Sequence, residues 1–500
     1  MTQFTLYRTY FLTLGLMTGV CIISYFLFLG QSIRLDEAQT LWQTGRYPGG
    51  ILYVVAQDVH VPLYHMMIYF WQLIFGVNIE FVRLFSLLFF VLTIPLVIRL
   101  GDEVYESRLI SGTGAAIFAL SPFMIWYGNE ARMYSLLVFL TVLNQYLFVR
   151  IRKTGQTQYW IAYGITAILG AYTHYYFGLV LITQGMFYLF HRSDFPERSF
   201  RKFVIAAAAV LLSLAPWLLY VRYLGKISNS EPLLHAPGLI DIFNTYVQFI
   251  FGIQSVPINT FIVALWPIVM LVWLFAIKKY AGSETIDNRY LLTSIVIPVG
   301  VGFVVSIFVR PIFEARYLIF VLPACALLLS ALINSAEGIA RSILTTILFV
   351  SLIVSILVVS LNPNTPTKEN YATVATYLDT YANPQDVIIV SAPFTIYPIE
   401  YYYQGPVSIS TLPLWNQHVT GPIPPFNPDT FPNEVKTVTG SHQRAWLLLS
   451  YDQGYEKTIR DYFDNHYRRL ELITISPGMT LALYQLRYDT ADSVYKDRAQ

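Results

Sequence analysis

Long apolar blocks separated by short polar turns fill the first 360 residues, and the pattern changes sharply after them. A helix needs about 20 apolar residues to cross the hydrocarbon core of a bilayer, with about 17 as a working minimum. Eleven stretches meet or nearly meet that length: 10–30, 82–100, 109–128, 133–149, 157–173, 175–190, 203–221, 259–277, 290–309, 316–334 and 342–360. The first has too long an apolar part for a cleaved signal peptide, and no small-residue cleavage site follows it. A further run, 62–76 (PLYHMMIYFWQLIFG), is only 15 residues long and opens on a proline suited to a first helical turn. It is expected to lie at the membrane interface rather than to cross.

Residues 361–500 read differently. A Pro/Asn/Thr linker at 361–370 leads into a helical stretch at 371–382 and a strand at 386–392. Strands follow at 445–451 and 480–486, with an amphipathic helix at 455–467 and a Pro-rich loop at 421–428. Buried strands alternating with helices predict a small α/β domain. The expected architecture is therefore mainly α, with about eleven transmembrane helices in 1–360 and an extracytoplasmic α/β domain in 361–500.

Composition agrees with a multi-pass membrane protein. Hydrophobic residues are 55% and charged residues 12%, about half the charged share of soluble proteins. A net charge of +2 points to no nucleic-acid partner, and two cysteines inside apolar runs offer neither a disulfide nor a zinc framework. Charge also sets orientation. With an inside N-terminus and eleven spans, the inner segments carry 14 Lys and Arg and the outer segments before the tail carry eight. That is the positive-inside bias. The outer side then receives the first loop at 31–81, short tips near 130 and 174, the 222–258 loop, the 310–315 turn and the tail.

Ionisable residues near membrane depth are costly and mark function. The outer tips hold most of them: Asp36, Glu37, Asp58, His60, Arg83, Glu130, Arg132, His174, Glu314 and Arg316, with Tyr134 and Tyr317 close in sequence. Each has a bland reading. Asp36 and Glu37 suit the first turn of a helix beginning near Ala38, Arg83 could snorkel, and Glu130 could pair with Arg132 in its turn. Taken together, four outer turns supply acid, guanidinium and tyrosine groups, whereas the inner turns supply only solubilising cations. The asymmetry suits a pocket for a lipid-linked anion, with arginines on phosphate and a carboxylate doing chemistry.

In order along the chain, the motifs are Asp36-Glu37 after the first span, H-x-P-L-Y at His60 to Tyr64, R-L-x-S at Arg83 to Ser86, S-P…E-A-R-M-Y at Ser121 to Tyr134, T-H-Y at Thr173 to Tyr175, and R-Y…P at Arg316 to Pro323. This set, covering about 30–325, resembles the protein O-mannosyltransferase and lipid A aminoarabinose transferase family, polytopic glycosyltransferases with the GT-C fold. Val61 departs from the family's commoner H-P-P-L, and the tail does not look like the β-trefoil of the eukaryotic members.

The resemblance implies transfer of a sugar from a polyprenyl-phosphate donor to an acceptor hydroxyl on a lipid, glycan or protein, with inversion, at the outer face of the plasma membrane. Asp36 is the implied base and Glu37 its support. Arg132 and Arg316 are the implied phosphate grips, joined by His60, Arg83, Tyr134, His174 and Tyr317, with Glu130 orienting Arg132 or a sugar hydroxyl. No secure counterpart of the aminoarabinose transferases' metal site is present, so no metal or other cofactor is expected. The rival reading is a transporter or flippase for lipid-linked sugars. It would place ionisable groups near mid-membrane on broken helices, and the mid-span positions here are nearly charge-free.

Overall fold

The computed structural model describes residues 3–224, 236–282, 285–362, 369–418 and 423–487. Linker positions 363–368, Lys226 and the first two residues of the Pro-rich loop lie outside them.

The chain divides into two compact units. One holds the apolar helices; the other joins Ser32–Trp42 to the described residues from Glu369 onward. Among the described residues, eight helices of the first unit are long and apolar enough to cross a membrane: Tyr10–Leu29, Ile79–Tyr105, Tyr134–Thr154, Ser199–Leu224, Pro257–Ala281, Ile286–Phe308, Ala315–Asn334 and Gly338–Leu361. Arg108–Ala119 and Pro122–Gly128 make a ninth if counted as one span bent by 59°. Ser121 forms that bend, its hydroxyl accepting from the Met124 amide at 3.1 Å ahead of a helix that starts on Pro122.

Eleven spans are thus not confirmed. The expected spans at 157–173 and 175–190 are helices of 17 residues (Thr157–Thr173) and 14 residues (Phe177–Phe190). At about 1.5 Å per residue these reach roughly 25 and 21 Å, short of a core of about 30 Å. The break between them falls at His174, whose backbone is extended (φ −160°, ψ 137°). The 62–76 run forms one 13-residue helix, Leu63–Phe75.

Burial sorts the long helices into centre and periphery. Within their apolar windows Tyr134–Thr154 is 78% buried, Ala315–Asn334 72% and Ile79–Tyr105 61%, against 11% for Pro257–Ala281. Arg83, Tyr134, Arg316 and Tyr317 all lie at the starts of the three central helices. Polar side chains knit the neighbouring helices together: Asn144 donates to the Thr166 hydroxyl (2.9 Å), Tyr163 to Gln184 (2.9 Å), and Gln184 to Tyr290 (3.1 Å). Each satisfies a group that hydrocarbon would leave bare. Close approach matters at Gly128, where a Cβ would come within 2.5 Å of the Phe90 ring. Glycine here lets the tip that follows, Asn129–Arg132, sit against the central helix.

The second unit carries a five-stranded sheet: β1 (Asp386–Ser391), β2 (Ile409–Thr411), β3 (Arg444–Ser450), β4 (Arg468–Ser476) and β5 (Met479–Gln485). Its order is β2-β1-β3-β5-β4, with β1 parallel to β2 and β3, and β5 antiparallel to β3 and β4. Both central strands are buried almost throughout. Phe431–Thr439 and Glu456–His466 contribute Val435, Ile459 and Phe463 to one core, while Tyr377 of Tyr371–Tyr381 lies 5.8 Å from Trp446. Buried strands explain the unbroken apolar runs VIIV and WLLL. The predicted helices at 371–382 and 455–467 and the three predicted strands all form; β2 and β4 are additional.

Candidate functional site

Three motifs of the first unit meet around one tip. The turn after Gly128 is anchored by Asn129, whose amide donates to the Ser24 hydroxyl (2.9 Å) and to the Ile125 carbonyl (2.8 Å). Ser86 donates to the Arg132 carbonyl at 3.2 Å, and Tyr64 and Ser86 share a hydrogen bond of 3.0 Å. The Arg132 guanidinium in turn lies 2.8 Å from His60 Nε2. A guanidinium only donates, so this nitrogen accepts and the imidazole is neutral with its proton on Nδ1. Asp58 approaches His60 Nε2 at 3.8 Å and is held by the Gln43 side chain (2.8 Å) and the Val59 amide (2.7 Å).

Arg132 and Glu130 are both buried, at 4% exposure. His65, which sequence reasoning passed over inside an apolar run, is also buried and stacks on His60 with centroids 5.8 Å apart.

The second group surrounds His174. The break between the two short helices turns its Nδ1 to accept from the Tyr176 amide at 3.1 Å. Its ring lies 5.3 Å from Tyr176, 5.7 Å from Tyr317 and 6.4 Å from Tyr134, which lies 5.0 Å from Tyr127. Tyr176 donates to the Ile312 carbonyl, tying this tip to the segment before Arg316. Burial first, then the charges of Arg132 and Arg316, push the His174 pKa down to about 3. One neutral imidazole thus feels both arginines that the sequence singled out, and Nε2–H is left as a donor. Arg316 also stands over the Tyr317 ring, 5.3 Å from its centroid. Beside it, burial raises the Glu314 carboxyl pKa although Arg316 opposes the shift.

Arg83 does something else. It is fully buried, and its Nη1 donates to the carbonyls of Leu29 (2.7 Å) and Gln31 (2.6 Å). It closes the exposed carbonyl end of the first span, directly before Ser32.

Asp36 and Glu37 belong to the second unit. The helix starts at Leu35, not near Ala38, and runs to Thr44. Glu37 is completely buried and its carboxylate accepts from the Arg34 amide at 2.9 Å, so Glu37 is the cap. Asp36 stands between them, partly exposed in the first turn. The Ile33 amide donates to the Tyr402 hydroxyl (2.8 Å) and the Leu35 amide to the Glu369 carboxylate (3.0 Å). Glu369, Tyr402 and buried Arg34 were absent from the expected site. Among the described residues no group of three His, Cys, Asp or Glu side chains is arranged to hold a metal ion.

Residues 59–220 match the dolichyl-phosphate-mannose-protein mannosyltransferase family, a stretch that includes His60, Arg83, Glu130, Arg132, Tyr134 and His174. No curated protein matches the sequence. Among solved structures the chain is similar to ArnT from Cupriavidus metallidurans in the apo state, at 10% identity and a TM-score of 0.63, over 94% of this chain and 97% of that one. The same protein bound to undecaprenyl phosphate gives 11% identity and 0.59, over 97% and 98%. The oligosaccharyltransferase AglB from Archaeoglobus fulgidus, in complex with an inhibitory peptide and a dolichol-phosphate, gives 11% and 0.52, over 98% of this chain and 75% of that one.

The electrostatics around His174 predict an acid limb. Its pKa falls from 6.5 unfolded to about 3 folded, so the folded chain binds fewer protons between those values. The resulting stability is complete above about pH 6.5 and is lost as pH falls towards 3, with a slope of at most about 1.4 kcal/mol per pH unit for one proton. Thermal unfolding in detergent across that window should show a shallower acid loss in His174→Asn than in wild type. Equal slopes would mean that His174 is not the group responsible.

Proposed function

We infer that this chain, which has the GT-C fold of membrane glycosyltransferases, moves a sugar from a polyprenyl-phosphate donor to an acceptor hydroxyl. The observation that carries the reading is the pair Arg132 and Arg316, both acting on one neutral imidazole, His174. Two guanidiniums near one neutral donor suit an anion of several oxygens, as phosphate is. The family match over 59–220 and the similar structures holding undecaprenyl phosphate and dolichol-phosphate support a polyprenyl phosphate as that anion.

In the reaction the acceptor oxygen attacks the anomeric carbon opposite the phosphate. A new glycosidic C–O bond forms as the C–O bond to phosphate breaks, and configuration inverts. Arg132 and Arg316 take the charge that grows on the departing phosphate, and His174 Nε2–H adds a hydrogen bond without bringing a charge of its own. Asp36 receives the proton of the acceptor hydroxyl. Glu37 keeps the helix start in place rather than handling protons, and Arg83 fixes the chain end just ahead of it. Tyr134 and Tyr317 line the His174 group and offer ring faces and hydroxyls to the sugar. His60 orients Arg132, and Glu130 stands in the same turn.

We assign this chemistry to the outer face of the plasma membrane, with the C-terminal domain on that side. The basic inner turns and the acidic and aromatic outer tips support the assignment. The helix Ile79–Tyr105 offers a simple test, since its 27 residues are ample for a crossing. Single cysteines at Asn78 and Tyr105 should label from outside at 78 and only after permeabilisation at 105. The opposite pattern would place the tips inside.

The activity is tested most sharply at Asp36. With purified protein and polyprenyl-phosphate sugars extracted from native membranes, Asp36→Asn should lower transfer by roughly 10²-fold or more, the scale of losing a general base. Affinity for undecaprenyl phosphate should stay near wild type. Arg316→Ala should weaken both, because it removes a charge-assisted contact to the phosphate. Near-normal transfer by Asp36→Asn would move the base to Asp58 or Glu130.

A further inference from the structure

The start of the Asp36 helix is held almost entirely by groups distant in sequence. A helix leaves its first amides without intrahelical partners. Here the Arg34 amide is satisfied locally by Glu37, but the Ile33 amide goes to Tyr402 and the Leu35 amide to Glu369, 369 and 334 residues away. The Ser32 hydroxyl accepts from the Ala372 amide at 3.3 Å, and the Trp42 ring lies 5.0 Å from Tyr397. Glu369 is itself held, since the Tyr451 hydroxyl donates to its second oxygen. Asp36 follows Leu35, so the acceptor of the Leu35 amide fixes the peptide immediately ahead of the one that leads into Asp36.

We propose that Glu369 is a positioning residue for Asp36, fixing the first turn of its helix through the Leu35 amide and so coupling the C-terminal domain to the chemistry. The proposal rests on the reading of Asp36 as the base. A shift of about 1 Å in such a group is enough to cost about 10²-fold in rate.

The surroundings make the hold sensitive to alkali. Asp36 and Arg34 face Glu369 from the helix start, and Tyr451 and Tyr371 from the C-terminal chain. Burial raises the Glu369 pKa to about 8, Asp36 adds to the rise, and Tyr451, the Leu35 amide and Arg34 oppose it. A raised carboxyl favours folding in its protonated form. That contribution is complete below the unfolded value of 4.5 and is lost as pH rises through about 8, when a second carboxylate appears beside Asp36.

The test is hydrogen exchange of the purified full-length chain, read by mass spectrometry on the peptide covering 32–42. Exchange there should rise roughly tenfold in Glu369→Ala, as expected for leaving a buried amide without its acceptor, while β3 stays protected. Glu369→Gln keeps an acceptor oxygen and should keep the protection. It should also abolish the rise in exchange that wild type shows as pH increases from about 4.5 to about 8, after correction for intrinsic rates. On native-donor turnover, Glu369→Ala should lower kcat and leave undecaprenyl phosphate affinity unchanged, with Glu369→Gln restoring kcat. Unchanged exchange at 32–42 in Glu369→Ala overturns the proposal. If Glu369→Ala unfolds the domain and exposes β3, the pH profile decides instead, and a rise with pH that persists in Glu369→Gln overturns it. Near-normal transfer by Asp36→Asn, with the exchange results as expected, would instead refute the reading of Asp36 as the base.

Discussion

Hydrocarbon offers no hydrogen bonds, and most of this chain's polar placement follows from that constraint. Side chains buried among the helices find partners within the protein, as Asn144, Tyr163 and Gln184 do. Guanidiniums are harder to bury, and each one needs several acceptors or an anion. Arg83 meets the requirement with the carbonyls that end the first span. Arg132 has His60 as a neutral partner, and His174 is kept neutral by burial and then by the charges of Arg132 and Arg316. Neutral imidazoles bring no second positive charge beside the arginines.

The same logic governs the Asp36 segment. A helix start presents donors, and the chain answers with Glu37, Glu369 and Tyr402. Once Glu37 takes the cap, Asp36 is not required for that task and stands partly exposed in the first turn. Two adjacent carboxylates thus differ: Glu37 is buried and builds the turn, and Asp36 is partly exposed beside it.

Much of this was legible in sequence because hydropathy and motif order are local signals. The long spans, the sheet's central strands and the tips bearing Arg132, His174 and Arg316 were all found that way. The span count is less legible: the hydropathy pattern separates the runs at His174, and the helices it marks there are 17 and 14 residues long. The strand β4 was missed because an edge strand can carry RRLELITIS with its charges in solvent, and β2 has only three residues. Nothing in R-L-x-S shows that Arg83 donates to the carbonyls of Leu29 and Gln31. His65 was hidden by its apolar neighbours, although its five-residue spacing from His60 was visible. The pairing of Leu35 with Glu369 spans 334 residues and leaves no local trace.

Glycosyl transfer, as opposed to transport of the lipid-linked sugar, is tested most directly in a strain lacking the chain. Mass spectrometry of its glycans, lipids and glycoproteins should show one sugar missing from an acceptor, and the matching polyprenyl-phosphate sugar should accumulate on the outer leaflet. Expression of the wild-type chain should reverse both changes. An unchanged set of glycoconjugates would contradict the enzyme reading, and donor accumulating only on the inner leaflet would mean that the chain moves the lipid rather than the sugar.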